Sequence, residues 1–373
     1  MTKPCIYFRA FCITFVSLLW LQCAFMSGLI LALPAHPQPF KPSCSIAKHP
    51  RHPCHFDTGR LGTQEKLYMR IPHRWLPALF VTLFGAVLVT IPAGTATAAE
   101  VVVMAVGDIA CPPGYGKDST HCHDQETAAL LGKEPALAAV LTLGDHQYET
   151  GTLSDFKAAY QKTWGAYKAK TLPSVGNHEY QTTGAAGYFD YFGAAAGDRA
   201  KGYYTKTIGD WRIFALNSNC SKVGGCGVGS PQYEWLKQAL AKNPHCSLAF
   251  WHHPRYSSSK HGNNTEVDPL WDLLYRHRVE IVLAAHAHHY ERFYRIKDDG
   301  SSAADGIRSF VVGTGGKSLY AWGTIHSKSA ARYNGGFGVL KLTLRGDGYA
   351  WRFMSEAGKT YSDSGTGTCV TPT

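Results

Sequence analysis

Five times from residue 101 onward, a short apolar run stops abruptly at Gly, Asp, Asn or His. The runs occupy residues 101–106, 138–143, 172–175, 248–251 and 279–284. Each is too short for a helix and partly β-branched, so it reads as a strand buried on both faces. Segments with helical patterning lie between them, at 125–131, 153–167, 231–242 and 269–277. Alternating strands and helices dictate an α/β architecture. In such sheets polar groups gather in the crevice beyond the carboxyl ends of the strands, so the five stops are expected to converge.

The stops are GDIA at Gly107, GDHQY at Gly144, GNHE at Gly176, WHHP at Trp251 and AHAHHYER at Ala285. Taken singly, a Gly-Asp or His-His pair after a strand is an ordinary turn. Taken in order, they supply carboxylate, phenol, amide and imidazole donors to one place. That mixture suits two divalent or trivalent ions about 3.5–4 Å apart, whose repulsion a shared carboxylate offsets. Asp145 is the candidate for the shared group. Oxygen donors suit a hard ion and imidazole suits zinc, manganese or ferrous iron, so unequal donor sets imply unequal metals.

The ordered set resembles the calcineurin-like metallophosphoesterase superfamily. The Tyr of GDHQY together with HAHHYER resembles the bacterial secreted branch of the purple acid phosphatases. The resemblance runs from residue 101 to the end of the chain. It implies a four-layer αββα sandwich, two mixed β-sheets flanked by helices. It implies one ion held by Asp108, Asp145, Tyr148 and His288, and a second held by Asp145, Asn177, His252 and His286. The implied metals are iron with zinc, manganese or a second iron. His178 would stand over the phosphoryl group as the catalytic residue, assisting the leaving oxygen. Two positions depart from the family pattern, Ala110 and Ala285, each where Gly is usual. If either needs a positive φ, alanine strains the loop by roughly 1 kcal/mol or more.

Other polar residues near the motifs are candidates for substrate contact. His253 can line the pocket beside His252, His261 can meet a phosphate, and Arg255 can supply fixed charge. Glu179 and Glu291 are expected to orient neighbouring imidazoles. His289 reads as an orienting or surface group rather than a ligand, and Arg292 as half of a structural ion pair. Loops 111–123, 181–199, 220–229 and 257–265 are where substrate specificity would reside. Runs at 309–312, 338–344 and 349–354 read as a C-terminal antiparallel hairpin set.

The N-terminal region tells a separate story. Basic residues from Met69 to Arg74, an apolar run at 75–92 and small residues at 96–98 have the layout of a secretory signal cleaved after Ala98. Residues 1–68 then read as sequence upstream of a true start at Met69, or as a disordered or anchor segment with a candidate span at 6–33. Five of the 11 cysteines fall before Met69, which leaves six. Spacing favours Cys111 with Cys122 and Cys220 with Cys226, and leaves Cys246 for Cys369, as suits an exported protein. The first 98 residues carry nine Lys or Arg and two Asp or Glu against a net charge of +10 for the whole chain, so the remainder is only mildly basic. That balance, without a sustained basic stripe, gives no nucleic-acid signature and no membrane span in the mature chain.

Residues 99–373 are therefore expected to form a single secreted or periplasmic domain that hydrolyses small phosphomonoesters, and diesters as a second class. The alternative is a non-catalytic metal- or phosphate-binding module on the same scaffold. Intact His178 argues for the enzyme, since a binding module has little need of a non-ligand imidazole there.

Overall fold

The computed structural model describes residues 100–244 and 246–369, and the anchor and signal segments read from sequence lie outside them. In chain order the elements are β1 (Val101–Val106), α1 (Asp124–Leu131), β2 (Leu137–Thr142), α2 (Leu153–Ala158), α3 (Tyr160–Thr163), β3 (Thr171–Pro173), α4 (Ala186–Phe192), β4 (Tyr204–Ile208) and β5 (Trp211–Ala215). There follow α5 (Pro231–Ala241), β6 (Cys246–Phe250), α6 (Asp268–Arg276), β7 (Ile281–Ala284), β8 (Tyr290–Phe293), β9 (Arg308–Val312), β10 (Ser329–Tyr333), β11 (Gly338–Arg345), β12 (Gly348–Ser355) and β13 (Ser364–Thr368).

The strands form two mixed sheets, ordered β13-β12-β11-β1-β2-β3 and β10-β8-β9-β7-β6-β5-β4. In the first, β1, β2 and β3 run parallel while β11 pairs antiparallel with β1. In the second, β5, β6, β7 and β9 run parallel. Period-two alternation explains the layering. Leu248, Phe250, Ile281, Leu283 and Phe310 share a core with Val103, Ala105, Leu340 and Leu342 of the first sheet. The alternate residues Ala249, Val282 and Val311 join Leu236 of α5 and Leu270 and Leu274 of α6 in a second core. Phe156, Tyr160 and Tyr188, from α2, α3 and α4, pack into the first core. Each fully buried aliphatic or aromatic side chain contributes roughly 1.5–3 kcal/mol. The result is the expected four-layer sandwich.

Two details differ from the sequence reading. The helix expected at 153–167 breaks at Ala159 (φ −125°, ψ −74°) and continues beyond α3 as 3₁₀ turns. Gln147 Oε1 accepts the Tyr160 N–H at 3.0 Å, so a loop residue takes a donor that a continuous helix would need. The run at 309–312 does not join the C-terminal hairpin of β11 and β12. As β9 it lies in the other sheet, parallel to β7 and antiparallel to β8.

Three disulfides among the described residues pair as spacing suggested, Cys111–Cys122, Cys220–Cys226 and Cys246–Cys369. The last closes a separation of 123 residues and fastens the chain just beyond β13 to the first residue of β6. Removing a link across so long a loop enlarges the unfolded ensemble. The double variant Cys246→Ser/Cys369→Ser should lose about 2–4 kcal/mol of stability, read from denaturant unfolding. An unchanged midpoint would show that the link does not constrain the chain.

Candidate metal centre

The first sheet delivers its polar groups from the ends of β1, β2 and β3, and the second from the ends of β6 and β7. Backbone bonds couple the first two loops, with Ile109 N–H donating to Asp145 O and Ala110 N–H to His146 O, both at 2.9 Å. Buried Glu179 couples the second to the third, its carboxylate accepting from Gly176 N at 2.8 Å, Asp145 N at 3.0 Å and His146 N at 2.7 Å. Asp145 Oδ1 in turn accepts the His178 N–H at 2.8 Å. The approach is so close that a Cβ on Gly176 would sit 2.1 Å from Asp145 Oδ1. Gly144, at φ +88°, would bring a Cβ within 2.6 Å of His252 Nδ1.

Two donor groups meet at Asp145. The Tyr148 hydroxyl lies 2.8 Å from Asp108 Oδ1, 3.1 Å from Asp145 Oδ2 and 3.0 Å from His288 Nε2. On the other side, His252 Nε2 lies 3.1 Å from Asp145 Oδ2, 3.0 Å from Asn177 Oδ1 and 3.2 Å from His286 Nδ1. The seven residues expected as ligands are thus brought together. Asp108, Asp145, Tyr148, His252 and His288 are buried, while Asn177 and His286 are partly exposed.

The donor chemistry fits cations. His252 Nδ1 is hydrogen-bonded to Leu143 O at 2.8 Å, which in the neutral ring leaves Nε2 as a lone pair facing two oxygens and a second imidazole. A single Tyr148 proton faces three acceptors. Asp108 Oδ2 is buried with no hydrogen-bond partner. Acceptors crowded against acceptors in a low dielectric are costly unless positive charge lies among them. Burial opposes a charge on His252, but the carboxylates of Asp145 and Asp108 win and push its pKa up to about 9. Burial would raise the Asp145 carboxyl, yet His252 alongside holds it well below the usual carboxylate range. Burial and the two Asp charges push the Tyr148 phenol well above its ordinary value, so phenolate there needs a cation. Burial, reinforced by neighbouring imidazoles, brings His286 down to about 2 and His253 to about 3, leaving both neutral.

Backbone strain marks the same residues. Asp108, Asp145 and His286 adopt φ of 60°, 48° and 63°, the left-handed region that costs a non-glycine residue about 1 kcal/mol or more. Ala110 and Ala285 do not lie in that region, so neither departure strains its loop.

The remaining sequence candidates fall as follows. The His178 ring packs on Tyr148 with centroids 4.2 Å apart, its Nε2 4.0 Å from Asp145 Oδ2. His253 is hydrogen-bonded through Nδ1 to Ser218 Oγ at 2.9 Å, with its ring 4.5 Å from that of His286. His261 is exposed with its ring 4.8 Å from His286, at the open side. Arg255 is committed to an ion pair with Asp268 at the start of α6. Arg292 is gripped by both oxygens of Asp363. His289 is buried rather than on the surface, bonded to Glu291 Oε2 at 3.2 Å and packed on Trp322. Glu291 does orient that imidazole, whereas Glu179 serves mainly main-chain N–H groups.

The segment after β9 was missed. Ser318 Oγ bonds His288 Nδ1 at 2.8 Å, and the Tyr320 ring stacks on His288 with centroids 3.9 Å apart and planes 8° apart. Lys317 places its ammonium 4.9 Å over the Tyr148 ring and pairs with Glu149. The available signal was a sixth apolar run, 309–312, ending in the glycine-rich GTGG.

Two outcomes follow for the variant and the metal. Glu179→Ala leaves four buried N–H groups, of Asp145, His146, Gln147 and Gly176, without that acceptor and should destabilise the protein by about 3 kcal/mol or more, measured by denaturant titration. Wild-type stability would show the loops hold without it. Because the raised His252 pKa means the ion-free site carries a proton, zinc uptake at pH 7 should release it. Apparent zinc affinity should then weaken as pH falls below about 9, and a flat titration series across pH would contradict that protonation.

Residues 101–290 match the family described as calcineurin-like phosphoesterase. Among curated relatives, purple acid phosphatase 23 of Arabidopsis thaliana is 30% identical over 163 residues, covering 38% of this chain and 35% of that protein. Purple acid phosphatase 15 of the same plant is 25% identical over 245 residues, covering 56% and 43%. The chain thus spans less than half the length of either. Among solved structures, purple acid phosphatase PPD1 from yellow lupin (Lupinus luteus) seeds superposes with a TM-score of 0.60 at 20% identity, covering 73% of this chain and 54% of that one. That likeness is one of fold. With half its length matched and the two sheets in place, this chain belongs to the calcineurin-like phosphoesterase family.

Proposed function

We propose that the protein is an exported dinuclear metal-dependent phosphoesterase that hydrolyses phosphomonoesters, with diesters as a second class. The observation that supports it best is the sharing of one oxygen. Asp145 Oδ2 is 3.1 Å both from the Tyr148 hydroxyl and from His252 Nε2, so a single carboxylate serves two donor groups at once. In this reading Asp108, Asp145, Tyr148 and His288 hold one ion, and Asp145, Asn177, His252 and His286 the other, with iron beside zinc, manganese or a second iron. When bound, such a pair supplies a water nucleophile at neutral pH and neutralises phosphoryl charge.

The protein's own groups do the rest. His178 Nδ1 lies 2.5 Å from Glu149 O, so Nδ1 carries a proton that the carbonyl accepts. A second proton, on Nε2, would make the ring an imidazolium, and that nitrogen faces the metal donors 4.0 Å from Asp145 Oδ2. Nε2 can give its proton to the departing ester oxygen and return to the neutral ring, held in orientation by the same carbonyl. Partly exposed Asn177, His178, His253 and His286 leave that side open to substrate. Export is supported by three disulfides among the described residues. No helix among those residues is long and apolar enough to cross a membrane.

His178→Ala should keep both metals and lose about 10²–10⁴-fold in kcat. Asn177→Ala and Asp145→Ala should lose metal retention and turnover together, read by elemental analysis and hydrolysis of aryl phosphomonoester and diester substrates. Wild-type turnover in the latter pair would break the site assignment. A folded, metal-loaded wild type without turnover would favour the binding module instead.

A further inference from the structure

Beside the proposed centre lies a cavity of about 300 Å³ lined by Lys260, His261, Leu319, Tyr320 and Ala321. It is at the small end of ligand pockets, large enough for one ring-sized group. Its position ties it to the metal donors on two sides. The His261 ring stands 4.8 Å from His286, and Tyr320 stacks directly on His288. The two lining rings, His261 and Tyr320, are 5.5 Å apart and tilted by 49°. Leu319 and Ala321 add apolar surface, and among the described residues Lys260 is the lone Lys or Arg in the lining and no Asp or Glu contributes.

These properties select a chemistry. An apolar, aromatic-walled cavity gains from a group that is flat and poorly hydrated, and loses with a polyol whose hydroxyls would find few partners. Tyr320 has one face occupied by His288 and also lines the cavity, so a planar group there meets an aromatic wall. The absence of carboxylates spares an incoming phosphoester repulsion, while Lys260 at the edge attracts it. We propose that this cavity receives the organic group of the substrate and that the preferred substrates are aryl phosphoesters, with the ring borne directly on the ester oxygen. Tyr320 and Ala321 then determine specificity, Tyr320 by stacking and Ala321 by leaving room. The inference rests on the phosphoesterase reading above and adds the substrate class to it.

The test compares kcat/KM for phenyl phosphate and glycerol 2-phosphate in the metal-loaded wild type, Ala321→Trp, Tyr320→Leu and Tyr320→Phe, with metal content measured in each. Using the change in the ratio between variant and wild type cancels the intrinsic difference in leaving-group reactivity. Ala321→Trp fills the cavity and should depress the phenyl-to-glycerol ratio by tenfold or more. Tyr320→Leu should depress it by about tenfold, the worth of one aromatic stacking partner. Tyr320→Phe, which keeps the ring, should leave it near wild type. A ratio unmoved by Ala321→Trp and Tyr320→Leu, in variants that retain metal and still hydrolyse glycerol 2-phosphate, overturns the assignment of the cavity. Failure of the wild type to hydrolyse either ester would instead overturn the phosphoesterase reading itself.

Discussion

The Glu179 carboxylate is the interaction on which the site's geometry rests. It is fully buried, it has no Lys or Arg partner among the described residues, and it gathers main-chain N–H groups from two loops that follow neighbouring parallel strands. Those bonds do the solvating that water would otherwise do for a charge. They also fix where Asp145 begins and where Asn177 and His178 follow. Because Asp145 returns a bond to His178 N–H, the bridging candidate and the candidate acid are set relative to each other by backbone, not by long flexible side chains. Substitution of Gly144 or Gly176 would intrude on the same few ångströms.

Holding the loops this way has a cost that the surroundings must meet. Asp108, Asp145 and His286 of the site sit in left-handed backbone, and one Tyr148 proton faces three acceptors. Such features persist only where the packing around them is over-determined. Here each strained residue follows a strand with both faces in a core, so relaxation would have to disturb one of those cores.

Much of this was legible in sequence because burial of strands on both faces leaves an uninterrupted apolar run, and a polar side chain that ends the run is visible against it. Asp108, Asp145, Asn177, His252, His286 and His288 all carry that mark. Tyr320, Ser318 and Lys317 do not, since they lie in a glycine-rich loop of ordinary composition and act only through long-range packing. Glu179 was visible as a residue, but its partners are backbone N–H groups, which sequence does not label. The run at 309–312 was found and then given the wrong neighbour. Pairing between strands is decided by the whole sheet, and β8 emerges inside the AHAHHYER motif, where ligand spacing hides a four-residue strand. Gln147 broke a helix whose own pattern was continuous, a tertiary hydrogen bond overriding local preference.

In the proposed assignment the donors divide by sheet. Every oxygen donor, Asp108, Asp145, Tyr148 and Asn177, follows a strand of the first sheet, and every imidazole, His252, His286 and His288, follows a strand of the second. Each ion would therefore be held by both sheets, with carboxylate, phenol or amide from one and imidazole from the other. Metal binding and sheet packing then become one equilibrium, because an ion cannot complete its donor set unless the core between Leu248, Leu283, Val103 and Leu340 is formed. The same division accounts for the unequal donor sets. The β1 and β2 loops approach from the first sheet with two carboxylates and a phenol, the β3 loop with only an amide, and the second sheet offers imidazole to both. The difference between the two ions' surroundings follows from which strand ends happen to face each other across the sandwich.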